Sequence, residues 1–137
     1  MIIDEIFILI LTALLASSLW IPYVIGVNST PYDGPEDFFQ RPPDQKHMVA
    51  WVHRAHRAHA NMLEQFAPFA AVVLIGAAVG VSNAATLGLA LAFLIVRVAH
   101  AVGMIGGWMG MPLRPIVFTA GWLVTLAYAG VVLANRG

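Results

Sequence analysis

The chain has 137 residues, 60% of them hydrophobic and only 10% charged, with zero formal net charge. A water-soluble domain of that length cannot bury so much apolar surface, whereas a bilayer accepts it as helices of about 20 residues whose backbone groups bond internally. The neutral balance and the absence of cysteine exclude a basic nucleic-acid surface, a disulfide framework and a thiolate nucleophile of the chain's own.

The composition predicts an all-α integral membrane protein, a single domain over residues 1–137 folded as a bundle of about four transmembrane helices. The first span is expected at 2–27, with Pro22 kinking the helix or beginning its end. Asp4 and Glu5 stand where the basic start of a signal peptide belongs, so this segment is read as a retained span. Residues 28–46 carry Pro31, Gly34, Pro35, Pro42 and Pro43 among acidic side chains and form the sizeable loop. The second helix, at 48–81, is longer than a bilayer requires, which leaves its charged opening at or beyond the membrane face. An uncharged turn, Ser82 to Ala84, leads into the third span at 85–104. A glycine-rich connection ending in Pro112 leads into the fourth at 116–134. Gly76 with Gly80, Gly103 with Gly107 and Gly106 with Gly110 have the spacing that lets helices approach closely in lipid.

Arg41, Lys46, Arg54, Arg57, Arg97 and Arg114 fall on the side of the first and third connections, and only Arg136 accompanies the termini. The positive-inside tendency makes the first side cytoplasmic and the termini periplasmic. The short loops of a compact chain suggest a bacterial inner membrane.

Polar residues inside the spans carry the functional information, because a charge in the membrane is expensive and normally faces protein or trapped water. Arg54, Arg57, Asn61 and Glu64 are spaced to share one face of the second helix, within about a quarter of its circumference. Arg97 and His100 share a face of the third, and Arg114 opens the fourth. Several guanidinium groups beside a carboxylate, an amide and an imidazole suit a small polar ligand bearing carboxylates, which arginine clamps with paired hydrogen bonds. A purely structural reading stays open, in which Glu64 pairs with Arg57 or Arg97 to hold helices in register. His53, His56 and His59 step around the helix by about 60° each, so they do not converge on one ion and no metal site is expected.

The run Arg57-Ala58-His59-Ala60-Asn61-Met62-Leu63-Glu64, followed by Phe66 and Pro68, resembles the second-helix signature of the MAPEG family, the membrane-associated proteins of eicosanoid and glutathione metabolism. Arg97-Val98-Ala99-His100 is similar to the family's third-helix segment, and Pro112-Leu113-Arg114 to the opening of its fourth. The resemblance implies a homotrimer of four-helix subunits that binds glutathione as co-substrate between neighbours near the cytoplasmic side, while a lipophilic electrophile enters from the lipid bilayer. It assigns Arg54, Arg57, Asn61, Glu64 and His100 to glutathione binding, and Arg97 and Arg114 to stabilising its thiolate.

Several family positions differ. Ala60 stands where a second arginine often precedes the asparagine. Met104 replaces a tyrosine one turn after the histidine, Pro115 and Phe118 replace a serine and a tyrosine, and no arginine lies near the end of the first helix. These changes remove hydroxyl donors and positive field that would favour the thiolate, the nucleophile of such chemistry. Two functions follow as expectations: a glutathione-dependent transferase or peroxidase acting on lipophilic electrophiles or lipid hydroperoxides, and a non-catalytic membrane protein that binds a lipid or a partner membrane protein. A proton or ion path through Glu64 and His100 ranks below both, because the other half of the bundle offers little beyond Ser82, Asn83 and Thr86.

Overall fold

The computed structural model describes residues 4–34 and 44–137. Arg41, Pro35, Pro42 and Pro43, on which part of the loop and orientation reading rests, lie outside the described residues. Helices α1 (Glu5–Ser18) and α2 (Trp20–Ser29) form one apolar segment of 25 residues. Leu19, at their junction, keeps right-handed helical dihedrals. Pro22 has no N–H to offer the carbonyl of Ser18, four residues back, so the hydrogen-bond ladder is interrupted there without ending the span.

A single 3-10 turn, Gln45–His47, leads to α3 (Ala50–Ala78), which is followed by α4 (Ala84–Gly106) and α5 (Leu113–Asn135). The α1–α2 segment and α3, α4 and α5 are each long and apolar enough to cross a membrane. At 29 residues α3 spans about 44 Å against roughly 30 Å of hydrocarbon, an excess of about two and a half turns.

The helix ends explain the register. Asn83 begins α4 with a capping box: its side chain accepts from Ala85 and Thr86 N–H groups at 2.9 and 3.1 Å, and the Thr86 hydroxyl accepts from Asn83 N–H at 2.8 Å. Gly107 closes α4 with φ +83°, the left-handed conformation that glycine adopts without a Cβ penalty. Of the small-residue pairs, Gly76 packs on Val132 and Tyr128 of α5, whereas Gly80 and Gly107 serve turns with positive φ.

The main core gathers Ile8 and Leu9 of α1, Phe69 and Val73 of α3, Ala90 and Phe93 of α4, and Tyr128 and Val132 of α5. Phe69 and Phe93 stack with centroids 3.7 Å apart, and Tyr128 meets Phe69 edge-on at 5.9 Å. Outward positions such as Ile10, Leu14, Leu74, Ile95, Ile116 and Leu133 are exposed and apolar, as lipid-facing side chains must be.

Candidate functional site

The buried stripe of α4 runs Thr86, Ala90, Phe93, Arg97, His100, Met104, alternating steps of four and three. Arg97 and His100 therefore occupy core positions of an otherwise apolar stripe, each 1% exposed. All three guanidinium nitrogens of Arg97 and both ring nitrogens of His100 are buried without a hydrogen-bond partner among the described residues. Apart from Gln65 beside Arg97 and the polar side chains that share a cavity with His100, the neighbouring positions of this stripe are apolar. Buried polar groups normally have partners, so two such groups side by side mark this part of the bundle as a candidate site.

Facing them, α3 splits its polar residues between two positions on its surface. Asn61 and Gln65 are buried at 6% and 7% exposure, while Arg57 and Glu64 lie on the outward edge. Pro68 sits inside α3 and deprives the Glu64 carbonyl of its usual donor four residues on. From α5, Gly121 approaches so closely that a Cβ there would stand 3.1 Å from the Gln65 amide oxygen and 3.3 Å from Arg97 Nη1. The absent side chain is what makes room for the guanidinium.

A cavity of about 370 Å³, within the usual range for small-molecule sites, opens between α3, α4 and α5. Arg57, Asn61, Glu64, His100 and Arg114 line it, together with Phe118 and Thr119. Five of the seven residues singled out from sequence thus converge. Arg97 lies deeper, against Gly121 and Gln65, one turn below His100. Arg54 is turned elsewhere: its Nε donates to the Met104 carbonyl at 3.0 Å and its Nη2 to that of Ile105 at 3.4 Å, which caps the C-terminal end of α4. No ion pair joins Glu64 to any arginine among the described residues, so the register-holding pair considered from sequence is absent from a single subunit.

A second, apolar groove of about 400 Å³ runs along α5 past Ile116, Ala120 and Leu123. It shares Pro115 and Thr119 with the polar cavity. Thr119 therefore borders both the polar cavity and the apolar groove. Sequence reasoning passed over both Thr119 and Gln65. Gln65 was legible as the residue four after Asn61, on the same stripe, and Thr119 as the neighbour of the position where related chains carry a tyrosine.

The model of the MAPEG family matches residues 7–134, almost the entire chain. The chain belongs to the MAPEG family. No curated protein matches it. The family motifs on α3, α4 and α5 are the segments that build the cavity in this MAPEG protein; of the divergent positions, Pro115 and Phe118 line it and Ala60 and Met104 do not. Met104 is buried at 3% exposure and does not line the cavity, whereas Phe118 lines it, its ring 6.5 Å from that of His100. The histidines of α3 are spread around the helix, with His56 against the Tyr23 ring at 5.0 Å. Among the described residues, no three His, Cys, Asp or Glu side chains gather to hold a metal ion.

Proposed function

We propose that this protein is a glutathione-dependent transferase or peroxidase that acts on lipophilic electrophiles or lipid hydroperoxides at the interface between subunits of a homotrimer. The observation that carries the reading is the junction of a cationic cavity with an apolar groove at Thr119. Glutathione has two carboxylates and one ammonium, and the cavity offers Arg57 and Arg114 for the former and the unpaired Glu64 for the latter. Asn61 adds an amide that can donate and accept. Arg114, with Arg97 beneath it, supplies positive field to steady the thiolate, and the Thr119 hydroxyl can donate to the sulfur from the side where the electrophile lies.

The trimer is supported by the outward position of Glu64, half-way along a membrane helix. A charge there faces lipid unless another subunit covers it, and that exposure is costly. The basic ends of the helices favour a cytoplasmic location for the site, with the termini periplasmic in a bacterial inner membrane. Phe118 in the lining favours the second reading, a non-catalytic protein that binds a lipid or a partner membrane protein through the same groove. In that case Thr119 alone supplies a side-chain hydroxyl to the cavity.

Calorimetric titration of glutathione into the detergent-purified protein, with Glu64→Ala and Arg97→Ala alongside and ultraviolet thiolate absorbance recorded, separates the readings. Binding that depends on both residues and raises the thiolate signal supports a transferase. Binding without thiolate supports the non-catalytic reading, and an absence of binding refutes the glutathione assignment.

A further inference from the structure

At the opposite end of the bundle a second polar cluster is built around Glu5, the first residue of α1. Its side chain is 7% exposed and reaches the turn between α3 and α4. The Ser82 hydroxyl donates to both carboxylate oxygens, at 3.1 and 3.0 Å, and the Thr86 hydroxyl sits against Oε1. The Thr86 oxygen also lies 2.8 Å from the Asn83 carbonyl, so its single proton serves one acceptor or the other. The carboxylate therefore faces the positive ends of two helices, α1 and α4, which favours a negative charge at this point. No lysine, arginine or histidine pairs with it among the described residues.

A cavity of about 230 Å³ adjoins this carboxylate. A water molecule occupies about 30 Å³ of the liquid, so the space holds a small ion with its water or a compact organic ammonium group. Glu5, Asp4 and Ser82 provide its oxygen atoms, and Val73 and Val81 part of its apolar wall. Tyr128 supplies the independent sign of a ligand. It is 1% exposed, it lines the same cavity, and its hydroxyl makes no hydrogen bond among the described residues. A buried phenol normally finds a partner for its hydroxyl, and here it shares the cavity with a buried carboxylate.

We infer that this cavity binds a small monovalent cationic group, either an alkali-metal ion or the primary ammonium of an aminolipid headgroup. Glu5 carries the countercharge, and the oxygens of Tyr128 and Ser82 act as neutral ligands. The chemistry is independent of the glutathione reading, because it uses the other end of the bundle and shares no residue with that site. A cation here links the start of α1 to the α3–α4 turn and to α5, so binding stabilises the fold by mass action.

The test is thermal unfolding of the full chain in detergent, titrated with sodium chloride and with ethanolamine hydrochloride against choline chloride at equal ionic strength. Glu5→Gln keeps the shape and one hydrogen-bonding oxygen but removes the charge, and Tyr128→Phe removes one neutral ligand. A saturable rise in Tm of a few degrees with sodium or ethanolamine, absent in Glu5→Gln and reached only at several-fold higher concentration in Tyr128→Phe, is the expected result. A larger response to ethanolamine, reproduced by phosphatidylethanolamine over phosphatidylglycerol in nanodiscs, identifies the headgroup as the source. An equal response to sodium identifies the inorganic ion. No response to either cation, or the same response in Glu5→Gln as in the wild type, overturns the inference.

Discussion

Replacing Arg97 by methionine separates a ligand-binding arginine from a structural one, because the two roles predict opposite signs. The guanidinium is 1% exposed and its three nitrogens have no acceptor among the described residues. An unsatisfied buried donor costs about 1–3 kcal/mol, so three leave a deficit of about 3–9 kcal/mol in a lone subunit, comparable with the whole stability of a typical domain. Methionine has a similar length and no donors, and Gly121 leaves room for its chain. Arg97→Met is therefore expected to leave Tm in detergent unchanged or raised without ligand, since the deficit disappears with the charge. With glutathione the sign reverses. Arg97 lies below the cavity lining, so the effect is largest if the bound thiolate reaches down to the guanidinium: a hydrogen bond to a charged group contributes about 1.5–3 kcal/mol, the Kd then weakens by about 10- to 150-fold, and the stabilisation by ligand shrinks accordingly. Calorimetry and thermal unfolding on the same preparations provide both readouts. Loss of several kcal/mol of stability in the ligand-free variant, with glutathione affinity intact, would show that Arg97 is paired within the assembly and would refute its role toward the ligand.

Arg54→Ala should behave in the contrary way: loss of the two carbonyl contacts at the end of α4 costs about 1–2 kcal/mol of stability, while glutathione affinity in calorimetry changes less than about threefold. Thr119→Val preserves volume and removes the hydroxyl at the junction of cavity and groove. It should lower turnover of a model electrophile by about tenfold with little change in glutathione Kd, and an unchanged rate excludes a hydroxyl contribution to the chemistry. Phe118→Tyr places a phenol beside His100, where an increased thiolate absorbance with bound glutathione is the expected gain; no increase would mean that the ring does not reach the sulfur. Gly26→Val drives a branched side chain into Val52 and Trp51 of α3 and should cost about 1–3 kcal/mol in thermal unfolding, with ligand affinity spared in the fraction that folds.

The class of the protein and its helices were legible in the sequence, because membrane spans are dictated by composition and length alone. The four long apolar helices follow directly from it, and the motif around Asn61 and Glu64 pointed to the face of α3 that lines the polar cavity. Arg97 and His100, three residues apart, were expected on one face of the third span, and the structure buries that face in the stripe from Thr86 to Met104. Sharing a face did not fix the partners of those side chains. Arg54 and Glu64 have compatible spacing, yet Arg54 reaches across to the carbonyls that end α4 before Gly107, and Glu64 opens onto the cavity. Gln65 and Thr119 gained their significance from α5, whose Gly121 admits the guanidinium and whose outer groove meets the cavity. Glu5 reads in sequence as a charge near the start of a span, and only the meeting of α1 with the α3–α4 turn makes it a buried carboxylate beside an unpartnered tyrosine. Helical periodicity is a local property of the backbone and so is written along the chain. Which polar groups end up paired depends on contacts between residues as far apart as Glu5 and Thr86, and those form only when the helices pack.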